Sequence, residues 1–149
     1  MIGGLLRRLR TMREANSDPG YARVVAIPGE VRVSSPVDGV GVVALVGEHD
    51  LGTVNQVRAA LERAQNEQGA VVVDLCQATF IDSSILGAIL EGRRQATEKQ
   101  KGYGVACDGS SEPVNRVLDV TGLRDLFVIN KTPAESVTAL SVTRQLSVV

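Results

Sequence analysis

Apolar, β-branched runs alternate with segments of helical period, and this alternation constrains the fold more than any other feature of the sequence. Five runs predict strands: EVRVSS (30–35), VGVVALVG (40–47), AVVVDL (70–75), YGVAC (103–107) and DLFVIN (125–130). Helical spacing predicts helices over 53–67, from about 84 to 100, from Val114 to near Gly122, and after Thr132. The order ββαβαβαβα predicts an α/β fold whose mixed sheet begins with a hairpin and continues with parallel strands.

Capping signals mark two of the helix starts. Thr53 is followed three residues later by Gln56, which fits a capping box. Thr132 precedes Pro133, a residue favoured at the first helical position, and Glu135 completes a second capping box. We therefore expect Thr53 and Thr132 to be N-caps.

Composition indicates one globular domain and argues against nucleic-acid binding. The chain has 149 residues, of which 44% are apolar and 22% charged, and its net charge is −1. It contains two Tyr, two Phe and no Trp, so it lacks the aromatic platforms on which single-stranded nucleic acid stacks. No run reaches the roughly 20 apolar residues that a membrane-spanning helix requires.

The sequence gives little support for metal, redox or hydrolytic chemistry. Cys76 and Cys107 each lie in or beside a β-branched run, where we expect them to be reduced core residues. His49 is the single histidine, and neither cysteine has a second ligand at metal spacing. We therefore expect no metal, no cofactor and no enzymatic activity.

Residues 1–22 differ in character from the rest of the chain. Leu5, Leu6, Leu9 and Met12 recur at helical spacing among four arginines, a pattern suited to an anionic membrane surface or to a partner's acidic groove. The alternative is a disordered extension that ends at NSDPG, because a short isolated helix is marginal in water. The sequence thus predicts a basic N-terminal extension, residues 1–22, and a globular domain, residues 23–149.

The stretch TFIDSSILGAIL (79–90) places Asp82, Ser83 and Ser84 between a strand and a helix. A helix N-terminus has unpaired N–H groups and the positive end of the dipole, so a hydroxyl there can cap and a phosphate is tolerated. A serine nucleophile elbow would carry flanking glycines, which are missing here, and no histidine follows downstream. Local chemistry leaves two interpretations, an ordinary cap and a phosphorylation site.

Three segments resemble the STAS domains, in particular the bacterial anti-sigma factor antagonists. They are VVVDLCQATFIDSSILGAIL, VALVGEHDLGTVNQVRAAL and PVNRVLDVTGLRDLF, and they cover residues about 30 to 142 in the family's order and spacing. The resemblance implies a STAS fold, a mixed sheet of four to five strands with helices packed largely on one side.

The resemblance also implies partner switching in the cytoplasm, as part of transcription regulation in the stress response. The unphosphorylated protein would bind an anti-sigma factor that is also a serine kinase and so free a sigma factor. Phosphorylation by that kinase would end the complex, and a serine phosphatase would restore it by removing the phosphate. Carried over residue by residue, the phosphoacceptor is Ser83. Ser84 takes the following hydroxyl position, and Asp50 and Asp82 take the two acidic positions near the site.

Ile85 departs from the family, which usually has glycine after the hydroxyl pair. We expect its β-branched side chain to stand beside Ser83, where a kinase must bring ATP, and to add apolar area to the partner-binding surface.

Two other functions stay open. One is a non-phosphorylated STAS scaffold or adaptor in a signalling assembly or beside a membrane transporter, with residues 1–22 helping to place it. The other is a nucleotide-binding or hydrolysing domain. The sequence argues against it, because it has no Gly-rich phosphate loop and no metal-binding acid cluster.

Overall fold

The computed structural model describes residues 29–148, with side chains up to residue 142. The predicted extension, residues 1–22, lies outside the described residues, so the boundary after residue 22 stays a prediction. No helix in the described part of the chain is both long and apolar enough to cross a membrane.

In the described part of the chain, six strands and four α-helices follow one another in a mixed α/β order, as the sequence predicted for the class. The strands are β1 (Glu30–Val37), β2 (Val40–His49), β3 (Ala70–Asp74), β4 (Ala78–Ile81), β5 (Gly102–Ala106) and β6 (Ile129–Asn130). The helices are α1 (Val54–Glu67), α2 (Ser83–Glu98), α3 (Glu112–Val120) and α4 (Pro133–Val148), with a short 3-10 helix at Leu123–Asp125.

The sheet is mixed, with the order β1-β2-β3-β5-β6. The β1–β2 hairpin is antiparallel and the other pairs are parallel. β4 is a short continuation of the buried β3 run and pairs with the far end of β2, which raises the strand count above the expected five. The last strand is shorter than the predicted 125–130, because Gly122 at φ 71° ends α3 and the 3-10 helix takes up the following residues.

Two apolar clusters lie on the two faces of the sheet. The larger one contains the buried faces of α1, α2 and α3, and the smaller one lies under α4. Helices therefore pack largely on one side, as expected. Both cysteines are free thiols, Cys107 buried and Cys76 half-buried; burial raises the pKa of the Cys76 thiol to about 12.

One of the two predicted capping boxes is wrong. The α1 N-cap Thr53 makes no side-chain bond to its own helix, because its hydroxyl is engaged by His49 and Asp50 instead. Thr132 caps α4 as predicted, since its hydroxyl accepts the N–H of Glu135 at 3.1 Å.

Close packing between α2 and β5 depends on a missing side chain. A Cβ built on Gly92 would lie 2.6 Å from the hydroxyl oxygen of Tyr103. That hydroxyl donates to the carbonyl of Ile89 at 2.7 Å, so Tyr103 has little room to move.

We expect Gly92→Ala to lower the free energy of unfolding by about 1–3 kcal/mol, because the added methyl displaces the Tyr103 ring. Gly87, in the same helix, has nothing within 4 Å of a built Cβ. Gly87→Ala is the matched control and should raise stability by up to about 1 kcal/mol through helix propensity. Urea denaturation of both variants measures the difference; equal effects would contradict this description of the packing.

Candidate functional site

Strand register brings two acidic residues to one edge of the sheet. His49 is the last residue of β2 and pairs with Ile81, the last residue of β4. Asp50 and Asp82 each follow directly, on parallel neighbours that lie about 4.8 Å apart. The structure therefore places these two predicted site residues side by side at the carboxyl ends of the strands.

Asp82 is the N-cap of α2. Its Oδ1 accepts the backbone N–H of Ile85 at 3.1 Å and the hydroxyl of Ser84 at 2.6 Å. An aspartate at this position satisfies one of the helix's unpaired donors and places negative charge at the positive end of the dipole. The cap is thus the aspartate, with Ser84 holding the carboxylate in place.

Ser83 is the first residue of α2 and is exposed. Among the described residues, none hydrogen-bonds its hydroxyl. The first helical N–H groups have no partner inside the helix, so they face a group attached at this position. The Ser83 hydroxyl therefore takes no part in capping the helix and is open to solvent, in contrast to the hydroxyl of Ser84.

Ile85 does not stand beside Ser83, and that prediction is wrong. Its side chain is 0% exposed and belongs to the main core cluster. The reason is helical geometry, since residues two apart point to nearly opposite sides of a helix. Ile85 therefore adds no apolar area to the surface around Ser83, and its proposed role in contacting a partner is withdrawn.

Gly87 lies one helical turn after Ser83 on the same face of α2. It is exposed, with no atom within 4 Å of a built Cβ. The surface on that side of Ser83 is therefore low and open, a property that sequence reasoning centred on Ile85 missed.

A tight turn after β2 positions Asp50. Its Oδ1 accepts the N–H of Gly52 at 2.8 Å, and its own N–H donates to the Thr53 hydroxyl at 3.3 Å. Leu51 is held between them with 76% of its surface exposed. Leu51 was not among the residues predicted from the sequence, although its place as an apolar residue between two turn-forming residues was an available signal.

The buried side chain of His49 stabilises this turn through hydrogen bonds. The side chain is 0% exposed; Nε2 lies 3.0 Å from the carbonyl of Val46 and 3.2 Å from that of Glu30. Carbonyls only accept, so the tautomer assigned from these partners carries its proton on Nε2. Nδ1 then accepts from the Thr53 hydroxyl at 2.9 Å. The single histidine thus serves as a structural brace and, being buried and paired on both nitrogens, cannot activate Ser83.

A third loop completes the edge, after β5. The Asp108 carboxylate accepts the N–H of Ser110 at 2.9 Å, and this bond lowers the pKa of that carboxyl. Ser111 caps α3 and donates its hydroxyl to the carbonyl of Thr79 at 3.3 Å, which ties the loop to β4. Residues 50–53, 82–84 and 108–111 together carry three aspartates and neither lysine nor arginine. We call these three loops the acidic edge.

Within the described part of the chain, no three His, Cys, Asp or Glu side chains group as a metal site would require. The acidic edge instead offers one exposed and two half-buried aspartates, several hydroxyls and one exposed leucine, features that suit contact with a basic protein surface.

Comparison with known proteins identifies the family. The family model described as STAS domain matches residues 31–136. The anti-sigma F factor antagonist of Paenibacillus polymyxa is 37% identical over 108 residues, which cover 70% of this chain and 89% of that protein. The chain therefore belongs to the STAS domain family, and it is similar within it to the anti-sigma factor antagonists.

Solved structures agree with this assignment. The crystal structure of an anti-sigma factor antagonist from Mycobacterium paratuberculosis has 27% identity and a TM-score of 0.69, and the match covers 78% of this chain and 99% of that one. Unphosphorylated SpoIIAA, an anti-sigma factor antagonist, has 21% identity and a TM-score of 0.64, covering 75% of this chain and 96% of that one. At that identity the second likeness shows the fold alone.

The environment of His49 generates a pH prediction. Burial lowers the pKa of His49 in the folded chain. In an unfolded chain the pKa of a histidine is about 6.5. As the pH falls below about 6.5, the unfolded chain binds a proton that the folded chain excludes, so the free energy of unfolding should decrease until the folded pKa is reached.

We expect His49→Gln to lose most of this slope between about pH 7.5 and 5.5, where carboxylates scarcely titrate. Urea denaturation at a series of pH values measures the slope in each protein. The lower absolute stability of the variant does not affect the comparison. A slope as steep in the variant as in the natural chain would show that another group is responsible.

Proposed function

We propose that this protein is a non-enzymatic anti-sigma factor antagonist that acts in the cytoplasm. In its unphosphorylated form it binds, through the acidic edge, an anti-sigma factor that is also a serine kinase, and so releases a sigma factor. Phosphorylation of Ser83 by that kinase ends the complex, and a serine phosphatase restores it. The observation that carries the proposal is Ser83 itself, exposed at the start of α2 with its hydroxyl unengaged by the described residues.

The surface around Ser83 supports access by a kinase. Ile85 points into the core and Gly87 has no side chain, so neither blocks the approach to the hydroxyl along α2. The argument for a constitutive, non-phosphorylated scaffold depended on Ile85 at the surface. Its burial removes that argument, and the reversible switch is the function we retain.

Electrostatics explains why one phosphate could control binding. A phosphate brings a charge of about −1.5 to −2 at neutral pH. At Ser83 this charge would lie beside Asp82, in line with Asp50, on an edge without a cation. The positive end of α2 and its free N–H groups tolerate the phosphate, so the fold is preserved. The partner's surface, in contrast, meets added bulk and charge where it requires close contact.

The same geometry assigns roles to the neighbouring residues. Asp82 and Ser84 fix the start of α2, and Asp50 holds the turn that presents Leu51. We propose that these residues, with Ser83 at their centre, form the partner-binding surface. Asp50, Asp82 and Ser84 thus keep the roles expected from the resemblance, whereas Ile85 does not.

Replacing Ser83 with aspartate tests the switch. We expect Ser83→Asp to weaken binding of the anti-sigma factor by more than about 1 kcal/mol and to leave the thermal midpoint near that of the natural chain, because an acid is favourable at a helix N-terminus. Ser83→Ala should bind normally. The partner is first identified by affinity capture, and its purified form is then titrated calorimetrically.

Asn66→Asp is the matched control. Asn66 is exposed near the carboxyl end of α1, away from the acidic edge, and the change adds the same charge with almost no change in shape. Its affinity should equal that of the natural chain. Equal affinities for Ser83→Asp and Asn66→Asp would contradict the proposal that Ser83 lies in the binding surface.

A further inference from the structure

Residues 29–148 cover the α4 face of the sheet only in part. α4 packs against β2, β3, β5 and β6, and beneath it lies the smaller apolar cluster. Between α4 and the hairpin strand β1 lies an open groove of about 730 Å³. Its lining includes Val37 of β1, Val42 and Ala44 of β2, and Pro133, Ala134 and Val137 of α4. We call this feature the α4 groove.

The α4 groove borders β1, the outermost strand of the sheet within the described residues. Val37 of β1 pairs with Val40 of the smaller cluster, lines the groove and is 42% exposed. Exposed edge strands with apolar side chains are prone to pair with other chains, so folded proteins generally cover or charge them. We therefore expect another polypeptide segment to cover the α4 groove.

The place where the N-terminal residues join β1 indicates which segment occupies the α4 groove. Glu30, the first residue of β1, is two residues from Arg32, which lines the groove in one row with Ala44 and Asp74. Residues 1–28 thus join the described fold within about 7 Å of one end of the groove. A linker of residues 13–28 spans up to about 50 Å, whereas the groove beside β1 is about 17 Å long, so the reach is ample.

Charge and apolar pattern agree with this choice. Residues 1–28 contain five arginines and two acids, whereas the remainder contains 11 basic and 15 acidic residues. Asp74, which is 5% exposed, lines the groove, and Arg32 there is already ion-paired with Glu30. Leu5, Leu6, Leu9 and Met12 recur at helical spacing, and as one helical stretch they would be about 12 Å long.

We propose that residues 5–12 of the same chain occupy the α4 groove. Their apolar stripe contacts the accessible apolar lining, Val37, Ala44 and Ala134, and their arginines face the acidic body of the domain. The covalent link supplies a high effective concentration, so the short segment needs little intrinsic affinity. Docking there shields the edge of β1 from other chains.

Methyl NMR of the full chain tests this directly. We expect nuclear Overhauser effects between the methyl groups of Leu5, Leu6 or Leu9 and those of Val37, Ala44 or Ala134 in the monomer. Leu6→Asp/Leu9→Asp should abolish them. The matched control Gly4→Asp/Thr11→Asp adds the same charge on the opposite side of the helical pattern and should retain them.

A second pair of variants changes the groove instead of the segment. Val37→Asp should also abolish the contacts, whereas Val120→Asp, at a valine that is 80% exposed and outside the groove lining, should not. The proposal is overturned if these contacts are missing from the monomer. It is equally overturned if they form only between two differently labelled chains, or if the segment's methyl signals respond only to phosphatidylglycerol vesicles. Neither pair uses an anti-sigma factor, so the outcome is independent of the function proposed above.

Discussion

Parallel pairing of β2 with two successive strands is the constraint on which the site depends. β2 pairs with β3 along Val40–Ala44 and with β4 along Gly47–His49. This second pairing ends at His49 and Ile81, so the chain must leave both strands at the same edge, and Asp50 and Asp82 meet there. A shift of β4 by one residue would turn Ile81 out of the core and carry Asp82 and Ser83 away from Asp50.

Three of the four residues 82–85 carry the structural roles at the start of α2. Asp82 caps the helix, Ser84 supports the cap, and Ile85 fills the core. Ser83 alone has neither a described partner nor a buried side chain. Because the structural duties are carried by its neighbours, this position can change charge without disturbing the fold. The role that we propose for Ser83 as a switch requires this property.

Much of the fold could be predicted from the sequence, because strands and helices here have strong and distinct periods. The hairpin, α1 and the buried strand before TFIDSSILGAIL all follow from local pattern. β4 could not be predicted as a separate strand, since only the long-range pairing with β2 separates it from β3. Thr53 likewise fits a capping box locally, yet a tertiary contact with His49 takes its hydroxyl.

Prediction of the site was limited for a related reason. Resemblance predicts Ser83, Asp82 and Asp50 as site residues, whereas the direction of the Ile85 side chain depends on which face of α2 meets the core. The helical spacing of Ile85, Leu86 and Ile89 already indicated that these residues form the buried face of α2. That pattern is a better guide to the direction of the Ile85 side chain than its closeness in sequence to Ser83. Leu51 and the brace formed by His49 depend on the conformation of one turn, which composition does not determine.

Incubation of the natural chain with its anti-sigma factor kinase and ATP, followed by peptide mass mapping, tests the central claim most directly. The account predicts one added phosphate, on Ser83, no phosphate on the Ser83→Ala chain, and unchanged phosphorylation of Ser83 in a chain in which only the neighbouring Thr79 is replaced by alanine. A kinase that binds the natural chain yet leaves Ser83 unmodified, or that modifies another residue, would contradict it.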